Sequence, residues 1–266
     1  MTWDSWQLTW KTWSDTNAFR GRVRRAVECV QDVASSGRPL YAGISGGKDS
    51  VAMAWVIHLA GATDIVWAHA YTPLETPGML AAAEATAELF DRKIEIIDPE
   101  VGKPFWEWFR ELQPAGCNPF REPFRQQIRD AISSGALLNW YGQERRFLGY
   151  LTGMRSEESH GRRMNRKLRG LSYELRSGVT VCNPLSDWTA RDVWAAIAAN
   201  NLPTCPHYQM AYERLGVSPE SPTSRVDMVV APETATALPV MMMTRTLYPD
   251  LYRAICAARP EIAREL

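Results

Sequence analysis

A short apolar run, Leu40-Tyr41-Ala42-Gly43-Ile44, passes directly into Ser45-Gly46-Gly47-Lys48-Asp49-Ser50 and then into a helix-forming stretch over residues 48–60. Pro39 and the paired glycines bound the run, so it reads as a buried strand, and Gly61 ends the helix. A second apolar run at 65–70, a helical stretch at 76–91 and a third strand at 93–97 repeat the alternation. Further strands at 146–152 and 179–182 bring the total to about five, and residues 189–200 read as a helix capped by Asp187 or Thr189. Strands alternating with helices of this length predict an α/β fold, a parallel sheet with helices on both faces in the Rossmann-like manner.

The loop inside this alternation has the makings of an anion site. Two glycines let the backbone curl tightly and bring bare N–H groups against an anion. The following helix turns its N-terminal amides and positive dipole end toward the same place. Lys48 adds a mobile cation, Ser45 and Ser50 add hydroxyls, and Asp49 is a candidate magnesium ligand between phosphates. The common triphosphatase loop needs Gly-x-x-x-x-Gly-Lys followed by Ser or Thr; here Ala42 stands at the first glycine position and Asp49 follows the lysine.

Composition limits the remaining options. Apolar residues make up 45% and charged residues 23%, the balance of a globular chain with a core. The formal charge is zero, so any binding of a polyanion must come from local clustering. Residues 145–176 supply such a cluster, with nine Lys or Arg against three Glu, and guanidinium groups suit two-point binding of phosphate or sulfate. The first residues carry Asp4 and four tryptophans where a secretory leader needs a basic start and an apolar stretch, so none is expected. The longest apolar stretch, 51–62, contains His58 and is too short to span a bilayer. Five cysteines, scattered and without a Cys-x-x-Cys pair, imply reduced thiols in a cytoplasm.

The Ser-Gly-Gly-Lys-Asp-Ser string resembles the pyrophosphate loop of adenine nucleotide α-hydrolase-like proteins. A second string, Gly153-Met154-Arg155-Ser156-Glu157-Glu158-Ser159-His160-Gly161-Arg162, is similar to the Gly-x-Arg-x-x-Glu-Ser-x-x-Arg stretch of phosphoadenosine phosphosulfate (PAPS) reductase relatives. Asn183-Pro184-Leu185-Ser186-Asp187-Trp188-Thr189 looks like their Pro-Leu-x-Asp-Trp-Thr region, and residues 72–76 echo the segment after their second strand. The resemblance covers about residues 40–208. It implies an adenine nucleotide, ATP or PAPS, held by Ser45, Gly46, Gly47, Lys48, Asp49, Ser50, Gly153, Arg155, Glu158, Ser159 and Arg162. Lys48, Asp49, Arg155 and Arg162 are the expected catalytic set, with Asp49 organising magnesium.

The family pattern breaks at its thiol. Assimilatory reductases carry a Glu-Cys-Gly-Leu-His string near the C-terminus; here Cys256 stands in Ile255-Cys256-Ala257-Ala258, and no cysteine quartet for an iron–sulfur cluster is present. The expectation is therefore ATP cleavage between the α- and β-phosphates with adenylyl transfer to an acceptor, a nucleic-acid group among those open. The alternatives are a thioredoxin-dependent PAPS reductase with a displaced cysteine, Cys182, Cys205 and Cys256 being the candidates, and a non-catalytic nucleotide-sensing subunit.

Three parts are expected: a Trp-rich helical segment at 1–16, a nucleotide-binding domain at 17–208 and an extension at 209–266. Trp3, Trp6, Trp10 and Trp13 recur at steps of three, four and three, which aligns four indoles on one helical face. So much apolar area needs a cover, from the chain's own core, a second copy or another protein. A second helix should run over 17–36. Residues 105–141, aromatic and interrupted by proline, predict helix in pieces. Beyond Pro203 the abundance of Pro, Ser and Thr predicts an irregular C-terminal part of loops, with short helices near 251–258.

Overall fold

The computed structural model describes residues 1–99, 103–111, 133–221, 224, 226 and 237–264. The strands are β1 (Leu40–Gly43), β2 (Val66–Ala70), β3 (Ile94–Ile97), β4 (Gly149–Leu151), β5 (Ser172–Glu174) and β6 (Thr180–Cys182). They form one sheet in the order β3-β2-β1-β4-β6-β5. β1 pairs in parallel with β2 and β4, β2 with β3, and β4 with β6; β5 alone runs antiparallel, against β6. The order steps outward from β1 through β2 and β3 on one side, and through β4 and β6 on the other. Ligands bind beyond the strand ends at such a reversal. The C-terminal ends of β1 and β4 therefore mark the crevice.

The helices are α1 (Trp3–Ser14), α2 (Asn17–Ala34), α3 (Lys48–Leu59), α4 (Met79–Leu89), α5 (Phe105–Glu111) and α6 (Ser134–Glu144). They continue with α7 (His160–Arg169), α8 (Ala190–Asn200), α9 (His207–Leu215), α10 (Ala237–Leu247), α11 (Pro249–Ala258) and α12 (Pro260–Arg264). Alternation along β1 explains how both faces are covered. Leu40 and Ala42 pack in the main core with α2, α3 and α8, while Tyr41 faces the opposite side with Leu137 and Tyr141 of α6. α3 buries Val51, Ala52, Met53, Ala54, Val56 and Ile57, so the helix after the loop is held on nearly every side. A further core joins Leu74 and Phe109 to Met241, Ile255 and Ile262 of the C-terminal helices.

The tryptophan face packs on the chain itself, burying Trp10 and leaving Trp3, Trp6 and Trp13 half-buried. Trp10 is fully buried and stacks on Trp194 of α8, ring centroids 4.8 Å apart, and its indole N–H donates to Glu220 over 3.0 Å. Trp3 meets Trp194 edge-on at 5.8 Å, Trp6 stacks on Trp10, and Trp13 donates to Asp192 over 2.9 Å. Aromatic pairs of this kind add roughly 0.5–1.5 kcal/mol each beyond their burial. Asp192 also takes Arg22 at 2.8 Å and closes the capping box with Thr189, so this carboxylate ties α1, α2 and α8 together.

Several elements depart from the sequence expectation. A sixth strand, β5, joins the sheet through the turn at 175–179; three residues are too few to show a period. The strand expected at 146–152 shrinks to Gly149–Leu151, because Arg146 adopts a left-handed conformation, φ 56°, as the chain leaves α6. The helix expected from residue 76 begins only at Met79, after Pro77 and Gly78. The largest correction lies beyond Pro203, where the chain is not mainly loop: α9 and α10 are helices too. Their apolar sides pack inward at Tyr208, Ala211, Met241 and Leu247, which overrides the local Pro, Ser and Thr signal. Of the stretch at 105–141, α5 and the start of α6 are helical as expected; residues 112–132, with Cys117, lie outside the described residues.

Candidate functional site

The loop closes on itself before it can offer anything to a ligand. The Ser50 hydroxyl donates to the Gly47 carbonyl over 2.9 Å and accepts the Ser45 N–H over 3.1 Å. Ser45 Oγ also lies 3.1 Å from Ser50 Oγ. The two serines, expected as phosphate donors, are thus the clasp that shapes the loop. Gly46 takes φ +73°, and a Cβ there would sit 2.0 Å from the Met79 carbonyl oxygen, so only glycine fits between β1 and α4. α3 has Gly47 at its N-cap and hence no side-chain cap, which leaves its first-turn amides to a tyrosine and to whatever enters the crevice.

That tyrosine was not legible in advance. Tyr208 of α9 is 2% exposed, and its hydroxyl accepts the Lys48 backbone N–H over 3.1 Å. Burial, with the Asp49 charge nearby, pushes its phenol up. The Lys48 side chain is also buried, donating to the Ser224 carbonyl over 3.3 Å and lying 3.4 Å from Asp49.

A second strand end meets the loop from the β4 side. A Cβ on Gly153 would stand 2.9 Å from the Asp49 carbonyl, so this glycine permits the close approach of the two segments. Two residues on, Arg155 is 4% exposed and donates Nε to Asp49 over 2.6 Å. Its other nitrogens reach Glu157 and, at 3.3 Å, Glu158. Glu158 also pairs with Arg162, and Glu157 accepts the Ala190 N–H over 2.7 Å. Burial alone would raise the Asp49 carboxyl, but Lys48 and Arg155 hold it below the usual carboxylate range.

The Arg155 guanidinium, expected to meet phosphate or sulfate, contacts three carboxylates, Asp49, Glu157 and Glu158. Asp49 was expected to organise magnesium, yet both of its oxygens face cations, and no group of three or more His, Cys, Asp or Glu among the described residues could hold a metal. The donor set does not fit a resident magnesium ion. Ser159 caps α7 by accepting the Arg162 N–H over 3.2 Å, a structural duty. Arg162 and Glu158 stand beside the site as an ion pair.

His69 and Glu75 were also missed. His69 is 1% exposed, with Nδ1 2.9 Å from the Ile44 carbonyl and Nε2 3.1 Å from Glu75. The other Glu75 oxygen accepts the Leu80 N–H over 3.2 Å, which braces the loop's entry against α4. The one sequence signal was the resemblance at residues 72–76.

Four thiols are described, and none is freely exposed: Cys29, Cys182 and Cys205 are buried and Cys256 half-buried. Burial pushes the Cys205 thiol up to about 11. No helix among the described residues is long and apolar enough to cross a membrane.

A mainly parallel sheet with a glycine-rich loop at its strand-order reversal defines a Rossmann-type nucleotide-binding α/β fold. The chain belongs to the PAPS reductase family: the family model for the phosphoadenosine phosphosulfate reductase domain matches residues 39–222. An adenosine 5'-phosphosulfate reductase of Neisseria meningitidis is 37% identical over 70 residues, 26% of this chain and 28% of the relative. A phosphoadenosine 5'-phosphosulfate reductase of Gloeobacter violaceus is 31% identical over 80 residues, 30% of this chain and 32% of the relative. The chain thus spans less than a third of the length of these curated relatives. The PAPS reductase of Candida auris, solved as a phosphate complex, shares the fold with a TM-score of 0.54 at 15% identity, over 77% of this chain and 90% of that one.

Proposed function

We propose that this chain is an enzyme that binds an adenine nucleotide across the β1–β4 crevice and cleaves ATP between the α- and β-phosphates, passing adenylyl to an acceptor. The observation that carries the reading is the loop at residues 45–50, internally clasped and lacking a side-chain cap at the start of α3. Phosphate oxygens are the natural acceptors for such amides. An acceptor oxygen would attack the α-phosphorus while the bond to the bridging oxygen breaks and pyrophosphate departs. Fixed amides and the Lys48 ammonium would stabilise the charge gathering on that leaving group. Arg155 and Asp49 would act by holding the loop in place.

Cys205 speaks against a redox role of its own, because attack on a sulfonucleotide needs a thiolate and burial raises this thiol. A second reading, thioredoxin-dependent reduction of PAPS or its 3'-dephospho analogue, is favoured by the names of the matched relatives. Cys256, half-buried on α11, is the least enclosed described thiol available for it.

Both readings meet in one experiment. The purified chain is incubated with γ-labelled ATP and sulfate, carboxylate or nucleic-acid acceptors, and separately with PAPS and thioredoxin. Acceptor-dependent pyrophosphate without sulfite is the expected result. Sulfite release abolished by Cys256→Ser would select the second reading, and neither product from a chain that binds ATP would defeat both.

A further inference from the structure

Cys29 on α2 and Cys182 at the end of β6 are 153 positions apart in the chain, yet their sulfurs lie 3.6 Å apart. Both are enclosed, Cys182 completely and Cys29 to 8% exposure. The surroundings are also unequal. The contact with Cys182 lowers the Cys29 thiol; burial and the Asp32 charge oppose this, while Ser172 and the Arg166 charge add to the lowering. Cys182 is pushed well up by the same contact and by burial. Ser172 stands opposite Cys182 in the β5–β6 ladder, so the strand hairpin holds the partners in place.

We propose that Cys29 and Cys182 are a peroxide-oxidisable dithiol whose disulfide alters the neighbouring site. The Cys29 thiolate attacks one peroxide oxygen; an S–O bond forms, the O–O bond breaks, and the departing hydroxide leaves as water. The Cys182 sulfur then attacks the sulfenic sulfur, forming S–S and releasing the second water. Two thiols and one hydrogen peroxide give one disulfide and two waters, the sulfurs losing the two electrons the peroxide gains.

The bond would draw the sulfurs from 3.6 Å to about 2.05 Å. That displacement reaches the crevice directly. The Cys182 carbonyl accepts the Thr152 N–H over 3.0 Å, and the Thr152 hydroxyl donates to Asn183 over 2.6 Å. Thr152 leads into Gly153 and Arg155, which back the loop at Asp49.

The test uses the full chain, reduced, freed of reductant and treated with stoichiometric hydrogen peroxide. Differential alkylation and mass spectrometry should show residues 29 and 182 lost from the thiol pool together, as one linked peptide pair that dithiothreitol reopens. Cys29→Ser should abolish the link. ATP affinity of the oxidised wild type, relative to the reduced form, should change at least about threefold, with Cys29→Ser unresponsive. Both thiols still alkylated, or Cys29 carried to sulfinic acid without a link, would overturn the dithiol. A link with unchanged affinity would overturn the coupling to the site. The coupling arm rests on the nucleotide reading, but the link is read by mass alone; failure of reduced protein to bind ATP would count against that reading and leave the link standing.

Discussion

Arg155 and α7 lie next to each other in the chain and use the same residue types to opposite ends. Arg155 is 4% exposed and meets Asp49, Glu157 and Glu158, so its charge is spent inside the protein. α7 carries five Lys or Arg and no acid; Arg162 pairs with Glu158, Arg166 forms a two-point pair with Asp187, Arg169 stacks on Tyr173, Arg163 is exposed and donates to the Glu157 carbonyl over 3.4 Å, and Lys167 is exposed. A count of basic residues from 145 to 176 treats these alike. Burial divides them, because an enclosed guanidinium must be matched by acceptors while an exposed one is matched by water.

The contrast makes graded predictions. Arg155→Ala should cost the most, about 3 kcal/mol of folding stability, since it strips three carboxylates of a shared counter-charge. Chemical denaturation should show it, with Arg155→Lys recovering only part because an ammonium cannot make the forked contacts. A loss within the range of a surface change would break the comparison at its stronger end.

Buried histidine extends it to pH. His207, 4% exposed, is held down to about 4 by burial, against about 6.5 in an unfolded chain. Above pH 6.5 neither state binds that proton. Between pH 6.5 and 4 the unfolded chain takes it first, so stability falls with pH by up to about 3 kcal/mol and levels off below. Denaturation midpoints across that window should show the slope, and His207→Asn should flatten it.

Lys48→Ala tests the loop. Losing a charge-assisted phosphate contact should weaken ATP and PAPS by about 10- to 150-fold, or roughly 1.5–3 kcal/mol, and leave adenosine nearly unaffected. Equal weakening of all three ligands would point to general damage, since Lys48 is itself buried and bonds Ser224. The smallest effect belongs to α7: Lys167→Ala and Arg163→Ala should each stay within about 0.5 kcal/mol of wild-type stability.

Much of this architecture was legible in the sequence, where signals were local. β1, the loop and α3 announce themselves through an apolar run, two glycines and an uninterrupted helical stretch. The helix at 189–200 is equally local, though of its two expected caps, Asp187 and Thr189, the structure uses Thr189, in a box with Asp192. The missing parts depend on distant partners. Nothing near Tyr208 says that its hydroxyl meets the Lys48 amide, 160 positions away, and nothing near Arg155 says that three carboxylates will surround it. The motif at 153–162 was read as belonging beside the loop, where Gly153 and Arg155 do meet Asp49; the ion pairs it makes there are decided by the fold. The helices α9 and α10 were missed for the same reason, their apolar sides being stabilised by packing rather than by propensity.

If the backbone amides of Gly46, Gly47, Asp49 and Ser50 hold the nucleotide's phosphates, a crystal structure with an ATP analogue whose α–β bridging oxygen is a methylene group will show it. Phosphate oxygens should lie about 3 Å from backbone nitrogens at the start of α3. Arg155 should still be bound to Asp49 there. Phosphates placed away from the loop, or an Arg155 that leaves Asp49 to grip them, would contradict it.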